Sequence, residues 1–213
     1  MTHIFHPTML REYDIRGVVG DTLGAADAYA IGRSFATLVA RGGGKRIAVG
    51  YDGRLSSPML ADALIAGINS AGIDALNVGL GPTPMLYYAA STEEVDGGIQ
   101  ITGSHNPPDY NGFKMVFQGR PFFGADIQRI GEMAAAGDWD SGKGTSESID
   151  IVDAYVDRLV EGFAGSAFRI GWDAGNGAAA HAEHAGVMKV ALLHLFGQRS
   201  LGAGHICHNR ACF

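Results

Sequence analysis

The chain has 213 residues, of which 46% are hydrophobic and 18% are charged, and its formal net charge is −6. This balance excludes wholesale disorder and disfavours nucleic acid or an anionic membrane surface as the main partner. A small anionic substrate remains compatible with it, because such a ligand needs only a local group of cations; the length fits one large or two ordinary domains.

Apolar periodicity and turn residues divide the chain into alternating strands and helices. Apolar residues at helical spacing, or a capping serine or threonine before a proline, predict helices at Ala25–Ala40, Ser57–Ala71, from about Thr83, Asp126–Ala136 and Ile149–Phe163. Short apolar runs predict strands at Arg46–Gly50, Ile73–Gly79, Gly97–Ile101 and Phe113–Phe117. This alternation predicts an α/β fold with helices on both faces of a mixed sheet, in which the last two strands form an antiparallel pair.

The polar, Gly/Ser-rich stretch Gly137–Ser148 is a candidate linker. We therefore expect a first domain over residues 1–140, and over residues 141–213 a linker followed by the start of a second, similar α/β domain. That second unit begins with the predicted helix and continues into the strand-like "FRIGWDAGNGAAA".

The densest polar stretch is "TGSHNPPDYNGFK", Thr102–Lys114, which follows the third predicted strand. In α/β folds, loops at the carboxyl ends of strands carry the functional sites. Ser104 and His105 are neighbours whose side chains diverge on an extended backbone, so a hydrolase pair is not expected. Lys114 comes within reach only if the intervening segment folds back, with a turn at Asn111–Gly112. From the residues alone, two explanations stay open: a serine beside cations that carries or receives a phosphoryl group, and a capping and turn loop with surface polar residues.

This stretch resembles the active-site serine loop of the α-D-phosphohexomutases, in particular the bacterial phosphomannomutase/phosphoglucomutase branch. Four further segments resemble the family in the same order along the chain: "REYDIRG", "GYDGRLSSP", "GPTPMLYYA" and "WDAGNGAAA". The resemblance covers about residues 8 to 180. The phosphoglucosamine mutase branch is the alternative. It ranks second, because its usual residues before the serine differ from Thr102-Gly103.

The resemblance implies that Ser104 carries a phosphoryl group and presents a phosphate oxygen to Mg²⁺. Ser104 would exchange this group with hexose 1- and 6-phosphates through a bisphosphorylated sugar. His105 and Lys114 match the positions for general acid–base work and charge stabilisation. The positions expected to contact phosphate or sugar, and to hold the loop, are Tyr13, Arg16 and Asn106.

Structural explanations for several of these residues stay open at this point. His105 is also compatible with packing within the loop, Arg16 with a structural salt bridge, and Tyr13 with a place in the core. Arg54 and the serines after it are candidates for contacting phosphate, but helix capping by Ser56 or Ser57 is the preferred explanation for the serines.

The resemblance also implies an Asp-rich metal loop in the second domain, a sugar-recognition loop in the third and a phosphate-binding loop in the fourth, and none of them is found in the sequence. Mg²⁺ needs carboxylates besides the phosphate oxygen. We therefore expect a truncated form of the enzyme that is inactive on its own; the alternative is a non-catalytic fragment or weak sugar-phosphate-binding domain. The preferred hexose and the oligomeric state are not indicated.

The residues from about 181 onward are atypical, and a shift of reading frame near Ala180 is one hypothesis for them; a true variant carboxyl terminus is the alternative. Both cysteines lie here, and the stretch "HICHNRAC" fits no standard zinc spacing. No run of eighteen apolar residues and no signal sequence is present, so we expect a cytoplasmic protein without a membrane segment. Five of the eight histidines also fall in this part: His181, His184, His194, His205 and His208.

Overall fold

The structure, a computed structural model, describes residues 2–162, which contain seven strands and five helices. The strands are β1 (Ile15–Val18), β2 (Arg46–Tyr51), β3 (Asp74–Leu80), β4 (Gly97–Ile101), β5 (Tyr110–Phe117), β6 (Arg120–Phe122) and β7 (Ser146–Ser148). The helices are α1 (Ala25–Arg41), α2 (Ser57–Ser70), α3 (Thr83–Thr92), α4 (Ala125–Ala136) and α5 (Val152–Val160). Within the described part, no helix combines the length and apolar character that crossing a bilayer requires.

All seven strands form one mixed sheet in the order β1-β5-β4-β2-β3-β7, with β6 paired to β5. Strands β2, β3, β4 and β7 run parallel to one another, and β5 is antiparallel to β4, β1 and β6. The predicted mixed sheet and its antiparallel pair are therefore confirmed. The short strands β1, β6 and β7 were not predicted, because three or four residues carry too little periodicity.

Two buried clusters cover the two faces of the sheet. Neighbouring residues of β2 point to opposite faces, and accordingly Ile47 and Val49 belong to the larger cluster while Ala48 belongs to the smaller one. The larger cluster contains residues of α1, α2 and α4, including Phe35. Residues of α3 and α5 complete the smaller cluster, in which Tyr155 is buried. Helices thus lie on both faces, as predicted.

Helices α1 and α2 pack closely because each presents a glycine at their contact. A Cβ atom added at Gly67 would overlap the carbonyl oxygen of Tyr29, and one added at Gly32 would overlap the carbonyl oxygen of Leu64. Both obstacles are helix backbone, which cannot move aside without separating the helices. This contact fixes α2, whose amino-terminal end lies beside the candidate site described below.

The stretch Gly137–Ser148, expected to be a linker, packs against the domain and adds β7 to the sheet. Trp139 donates from its indole nitrogen to the Ser34 hydroxyl at 2.7 Å. The backbone of Gly142 and Gly144 hydrogen-bonds to the end of α2. The helix predicted to start at Ile149 begins at Val152. The division into units of 1–140 and 141–213 stays a prediction, and "WDAGNGAAA" and the histidine-rich tail lie outside the described residues.

We predict that Gly67→Ala lowers the free energy of unfolding by at least about 2 kcal/mol, because the new methyl group has to displace helix backbone. Denaturant titration followed by circular dichroism measures the change. The matched control is Gly131→Ala on α4, where the added carbon meets only the mobile end of the Leu10 side chain. The control should be neutral or stabilising by up to about 1 kcal/mol; equal losses in both variants would contradict the backbone explanation.

Asp74 at the start of β3 connects the sheet to the segment before β7. Its carboxylate accepts hydrogen bonds from the Thr145 backbone N–H at 2.6 Å and from the Thr145 hydroxyl at 2.9 Å. These bonds hold the pKa of the Asp74 carboxyl below its ordinary value. The ionised form is therefore favoured in the folded state, and its contribution to stability is present above the unfolded pKa and lost as the pH falls through the folded one.

We predict that Asp74→Asn destabilises the chain at neutral pH and that the difference from the parent shrinks as the pH is lowered below about 4. Chemical denaturation at a series of pH values gives this difference. Asp62→Asn, at an exposed position of α2, serves as the control. A difference that stays constant or grows toward acid pH would be inconsistent with a stabilising carboxylate at position 74.

Candidate active site at the carboxyl ends of the central strands

The loop between β4 and β5, Thr102–Asp109, lies at the carboxyl end of the parallel strands and is called the serine loop below. Strand β2 ends beside β4, and the Asp52 backbone N–H donates to the Ile101 carbonyl at 2.9 Å. The Asp52 carboxylate also accepts from the Gly103 backbone N–H at 3.0 Å. The loops that follow two neighbouring strands are thus joined directly, at the edge where α/β folds carry their sites.

Ser104 is exposed, and its backbone φ of 52° lies in the left-handed region that residues other than glycine rarely adopt. Its N–H donates to the Thr102 hydroxyl at 2.9 Å. The Ser104 hydroxyl lies 3.3 Å from His105 Nδ1. The expectation that these two side chains diverge is therefore wrong, because the left-handed residue departs from extended geometry.

His105 does not have the partners of a hydrolase base. Its ring is exposed, and within residues 2–162 no hydrogen bond to its Nε2 orients it as a triad carboxylate would. The close approach of the two groups therefore fits a hydroxyl that can accept a phosphoryl group and an imidazole that can carry its proton. It fits the serine–histidine pair of an acyl-transfer enzyme less well.

Asp14 binds two cations, one of which contacts the serine loop. The buried Asp14 carboxylate lies 2.6 Å from Arg16 Nη2 and 3.4 Å from Lys114 Nζ, both measured to Oδ2. Arg16 also donates through Nη1 to the Asn106 side-chain oxygen at 2.8 Å, and Asn106 Nδ2 donates to the Gly103 carbonyl at 2.8 Å. The structure therefore connects Arg16, Asn106 and Lys114, three of the predicted site residues, to the serine loop through one network.

Pairing of β1 with β5 makes this network possible. Arg16 faces Gly112 across the antiparallel ladder, and a Cβ at Gly112 would overlap the Ile15 carbonyl oxygen. Asn111 and Gly112 are thus strand residues, and the predicted turn at this position is wrong. The chain reverses earlier, within the serine loop, so Lys114 reaches the site from a strand.

Arg54, in the loop after β2, binds the serine loop from its other side. Its guanidinium donates to the carbonyl oxygens of Ser104, Asn106, Pro107 and Tyr110 at distances of 2.6–3.0 Å. A Cβ at Gly103 would overlap this guanidinium, so a larger residue there would have to displace Arg54 from its position. The suggestion that Arg54 contacts phosphate is not what the structure shows, because its donors face backbone carbonyls.

The serines after Arg54 bind side chains instead of capping α2. Ser56 occupies the N-cap position without a side-chain cap hydrogen bond, so the preferred capping explanation is wrong. Ser57, the first residue of α2, donates its hydroxyl to Asp52 at 2.7 Å. Buried Asn111 donates to both serine hydroxyls at 2.9 Å. These contacts fix the start of α2 against β5.

Tyr13 is 74% exposed, so its alternative placement in the core is wrong. Its ring lies 6.3 Å from that of Phe123, centroid to centroid, in a tilted arrangement. Among the described residues no hydrogen bond joins Tyr13 to Ser104. Its predicted contact with phosphate or sugar stays a prediction.

Side chains in the described part do not form a metal site by themselves. No group of three or more His, Cys, Asp or Glu residues within 2–162 is placed to hold an ion. The residues present thus do not fit a complete Mg²⁺ site. What they provide is an exposed hydroxyl, an adjacent imidazole and two cations held by one carboxylate.

Comparison with known proteins gives one family. The model described as phosphoglucomutase/phosphomannomutase, alpha/beta/alpha domain I, matches residues 7–141. The phosphomannomutase/phosphoglucomutase of Pseudomonas aeruginosa is 44% identical over 173 residues, which cover 81% of this chain and 37% of that protein. A Neisseria gonorrhoeae phosphoglucomutase is 46% identical over 159 residues, covering 71% of this chain and 34% of that protein.

A solved structure gives the same result. The chain resembles a phosphoglucomutase/phosphomannomutase family protein from Burkholderia thailandensis with a TM-score of 0.73 and 43% identity, over 75% of this chain and 36% of that one. The aligned part thus spans little more than a third of the length of these relatives.

We predict that Asp14→Asn lowers the free energy of unfolding by about 2 kcal/mol, because two neighbouring cations lose their shared carboxylate. Urea denaturation at low salt measures this change. The control is Glu12→Gln, which removes a carboxylate from an exposed position two residues away and should change stability by less than about 0.5 kcal/mol. A near-zero effect of the Asp14 substitution would show that the network does not depend on this charge.

Proposed function

The chain belongs to the phosphoglucomutase/phosphomannomutase family, and from this premise we propose that its serine loop accepts and returns a phosphoryl group in the interconversion of hexose 1- and 6-phosphates. The observation that carries the proposal is the exposed Ser104 hydroxyl beside His105, in a loop that Asn106 connects to the Arg16–Asp14–Lys114 network. The activity of the family is that of an isomerase, and we assign it to the whole enzyme, of which the aligned segment is about a third of the length.

In the proposed step, the Ser104 Oγ atom attacks a phosphorus of a hexose bisphosphate. The Oγ–P bond forms, the bond from phosphorus to the sugar oxygen breaks, and a hexose monophosphate leaves. The hydroxyl proton passes to His105, whose Nδ1 lies within reach of Oγ. The departing sugar oxygen takes a proton, for which Lys114 is the proposed donor.

Arg16 and Lys114 are proposed to stabilise the negative charge that moves during the transfer. A phosphate on serine carries a charge of about −1.5 to −2 at neutral pH, and fixed cations in a preorganised site bind it with little reorganisation. Asn106 is proposed to hold the loop, which its hydrogen bonds to Arg16 and Gly103 support. Tyr13 is proposed to contact the sugar, since its ring is exposed and one residue away from Asp14.

The proposal extends to the domain that carries the serine, to the metal ion and to the branch of the family. We propose residues 1–140 as the phosphoserine domain. The Mg²⁺ implied by the family resemblance would bind an oxygen of the Ser104 phosphate, with carboxylates beyond those described here. The phosphomannomutase/phosphoglucomutase branch is preferred over the phosphoglucosamine mutase branch, because the relatives reported above carry the former names.

We predict that the purified chain, incubated with glucose 1,6-bisphosphate, gains one phosphoryl group on Ser104 and that Ser104→Ala does not. Intact-mass measurement followed by peptide mapping locates the group. Ser91→Ala, which removes an exposed hydroxyl on α3, is the matched control and should be phosphorylated like the parent.

The same samples test turnover. We expect no conversion of glucose 1-phosphate to glucose 6-phosphate by the 213 residues alone, because their sequence lacks an Asp-rich metal loop. A phosphoryl group found elsewhere, or none on any residue, would contradict the role of Ser104. Binding of sugar phosphate without phosphorylation would support the alternative of a non-catalytic binding domain.

A further inference from the structure

The Arg54 guanidinium has five N–H donors, and the four on Nη1 and Nη2 donate to carbonyl oxygens. Nη1 donates to the carbonyls of Pro107 and Tyr110 at 2.6 and 2.9 Å. Nη2 donates to the carbonyls of Ser104 and Asn106 at 3.0 and 2.7 Å. Nε lies 3.4 Å from Asp52 Oδ2. A single side chain therefore binds four carbonyls within a seven-residue stretch that includes the nucleophile.

Secondary structure and burial do little to determine the conformation of the serine loop. It is neither strand nor helix, and Ser104, His105, Pro107 and Pro108 are all exposed. Its left-handed serine costs of order 1 kcal/mol or more and persists only where surrounding contacts determine the backbone. Arg54 supplies such a contact at the Ser104 carbonyl itself.

The space for the guanidinium is made by Gly103, where any Cβ would overlap Arg54 Nε and Cζ. The orientation of the guanidinium is set by Asp52, whose two oxygens also accept from Gly103 N–H and from the Ser57 hydroxyl. Arg54 is only 15% exposed. The charge is thus taken out of water at a place where its donors match the loop and not a substrate.

We propose that Arg54 is a positioning residue for Ser104: it acts through the loop carbonyls to aim the serine hydroxyl, and does not bind phosphate itself. The catalytic part of this statement rests on the proposed function of Ser104. The geometric part, that Arg54 determines the conformation of the serine loop, does not. A lysine keeps the charge for Asp52 but lacks the planar fork, so Arg54→Lys separates shape from charge.

The test compares Arg54→Lys with Arg33→Lys. Arg33 is a suitable control because it also crosses to a distant segment, donating to the Asp140 carbonyl and the Ser141 hydroxyl, but lies away from the serine loop. Hydrogen exchange of the backbone N–H groups of residues 103–106, 109 and 110 reports the conformation of the loop, and thermal unfolding reports overall stability. Incorporation of phosphate from glucose 1,6-bisphosphate reports the reactivity of Ser104.

We expect faster exchange of the loop amides in Arg54→Lys, but not in Arg33→Lys. The maximal rate of phosphoryl incorporation should fall about 100-fold, the loss typical of a misplaced reacting group. The bisphosphate concentration for half-maximal rate should change little, because Arg54 does not touch the ligand. Added methylguanidinium should restore part of the rate to Arg54→Ala, an effect that general destabilisation would not produce.

The outcomes separate the two proposals. If the parent chain takes up no phosphate, the proposed function of Ser104 fails, while faster loop exchange in Arg54→Lys alone still supports positioning of the loop. Unchanged loop exchange in Arg54→Lys overturns the inference, as does a loss of phosphate uptake that appears only as a raised half-maximal concentration. Equal changes in Arg54→Lys and Arg33→Lys would also overturn it, by showing a general loss of stability.

Discussion

The Asp52 carboxylate is the contact on which the candidate site depends, because it joins the loops that follow β2 and β4. One oxygen accepts from the Ser57 hydroxyl and the other from the Gly103 N–H, and Arg54 lies against the same group. A carboxylate that accepts several hydrogen bonds from rigid neighbours is held in one place. The conformation of the serine loop is therefore set from the rigid centre of the sheet, and the serine itself is left exposed.

A second carboxylate, that of Asp14, orients Arg16 and Lys114 near the edge of the sheet. It belongs to the short strand-forming segment "REYDIRG", and pairing of β1 with β5 brings it between Arg16 and Lys114, which are separated by 98 positions in the sequence. Because Asp14 is buried, water screens its attraction to the two cations less than it would at an open surface. The cations are thereby oriented before any anionic ligand arrives.

The sequence was informative where the signal is local or is carried by a family motif. Four central strands and the main helices follow from periodicity, and Ser104, Arg16, Asn106 and Lys114 follow from a resemblance that the family comparison confirms at the level of the family. The roles of Asp14, Asp52 and Arg54 were not predicted, because each depends on contacts between segments far apart in the chain. The left-handed backbone at Ser104 and the strand position of Asn111 were missed for the same reason: both are imposed by tertiary contacts and not by residue type.

The balance of charge in this network explains why its geometry alone does not make a complete mutase site. Arg16 and Lys114 share Asp14, and Arg54 is matched by Asp52, so these five residues together carry a net charge of one positive unit. A phosphoserine brings about two negative charges, and a sugar phosphate brings a similar number. These negative charges repel each other at close range, most strongly where solvent access is reduced, unless further cations neutralise them. The described residues therefore hold Ser104, the proposed nucleophile, in place and offer part of the positive charge that a phosphoserine would need, and the remaining positive charge has to come from groups outside this network.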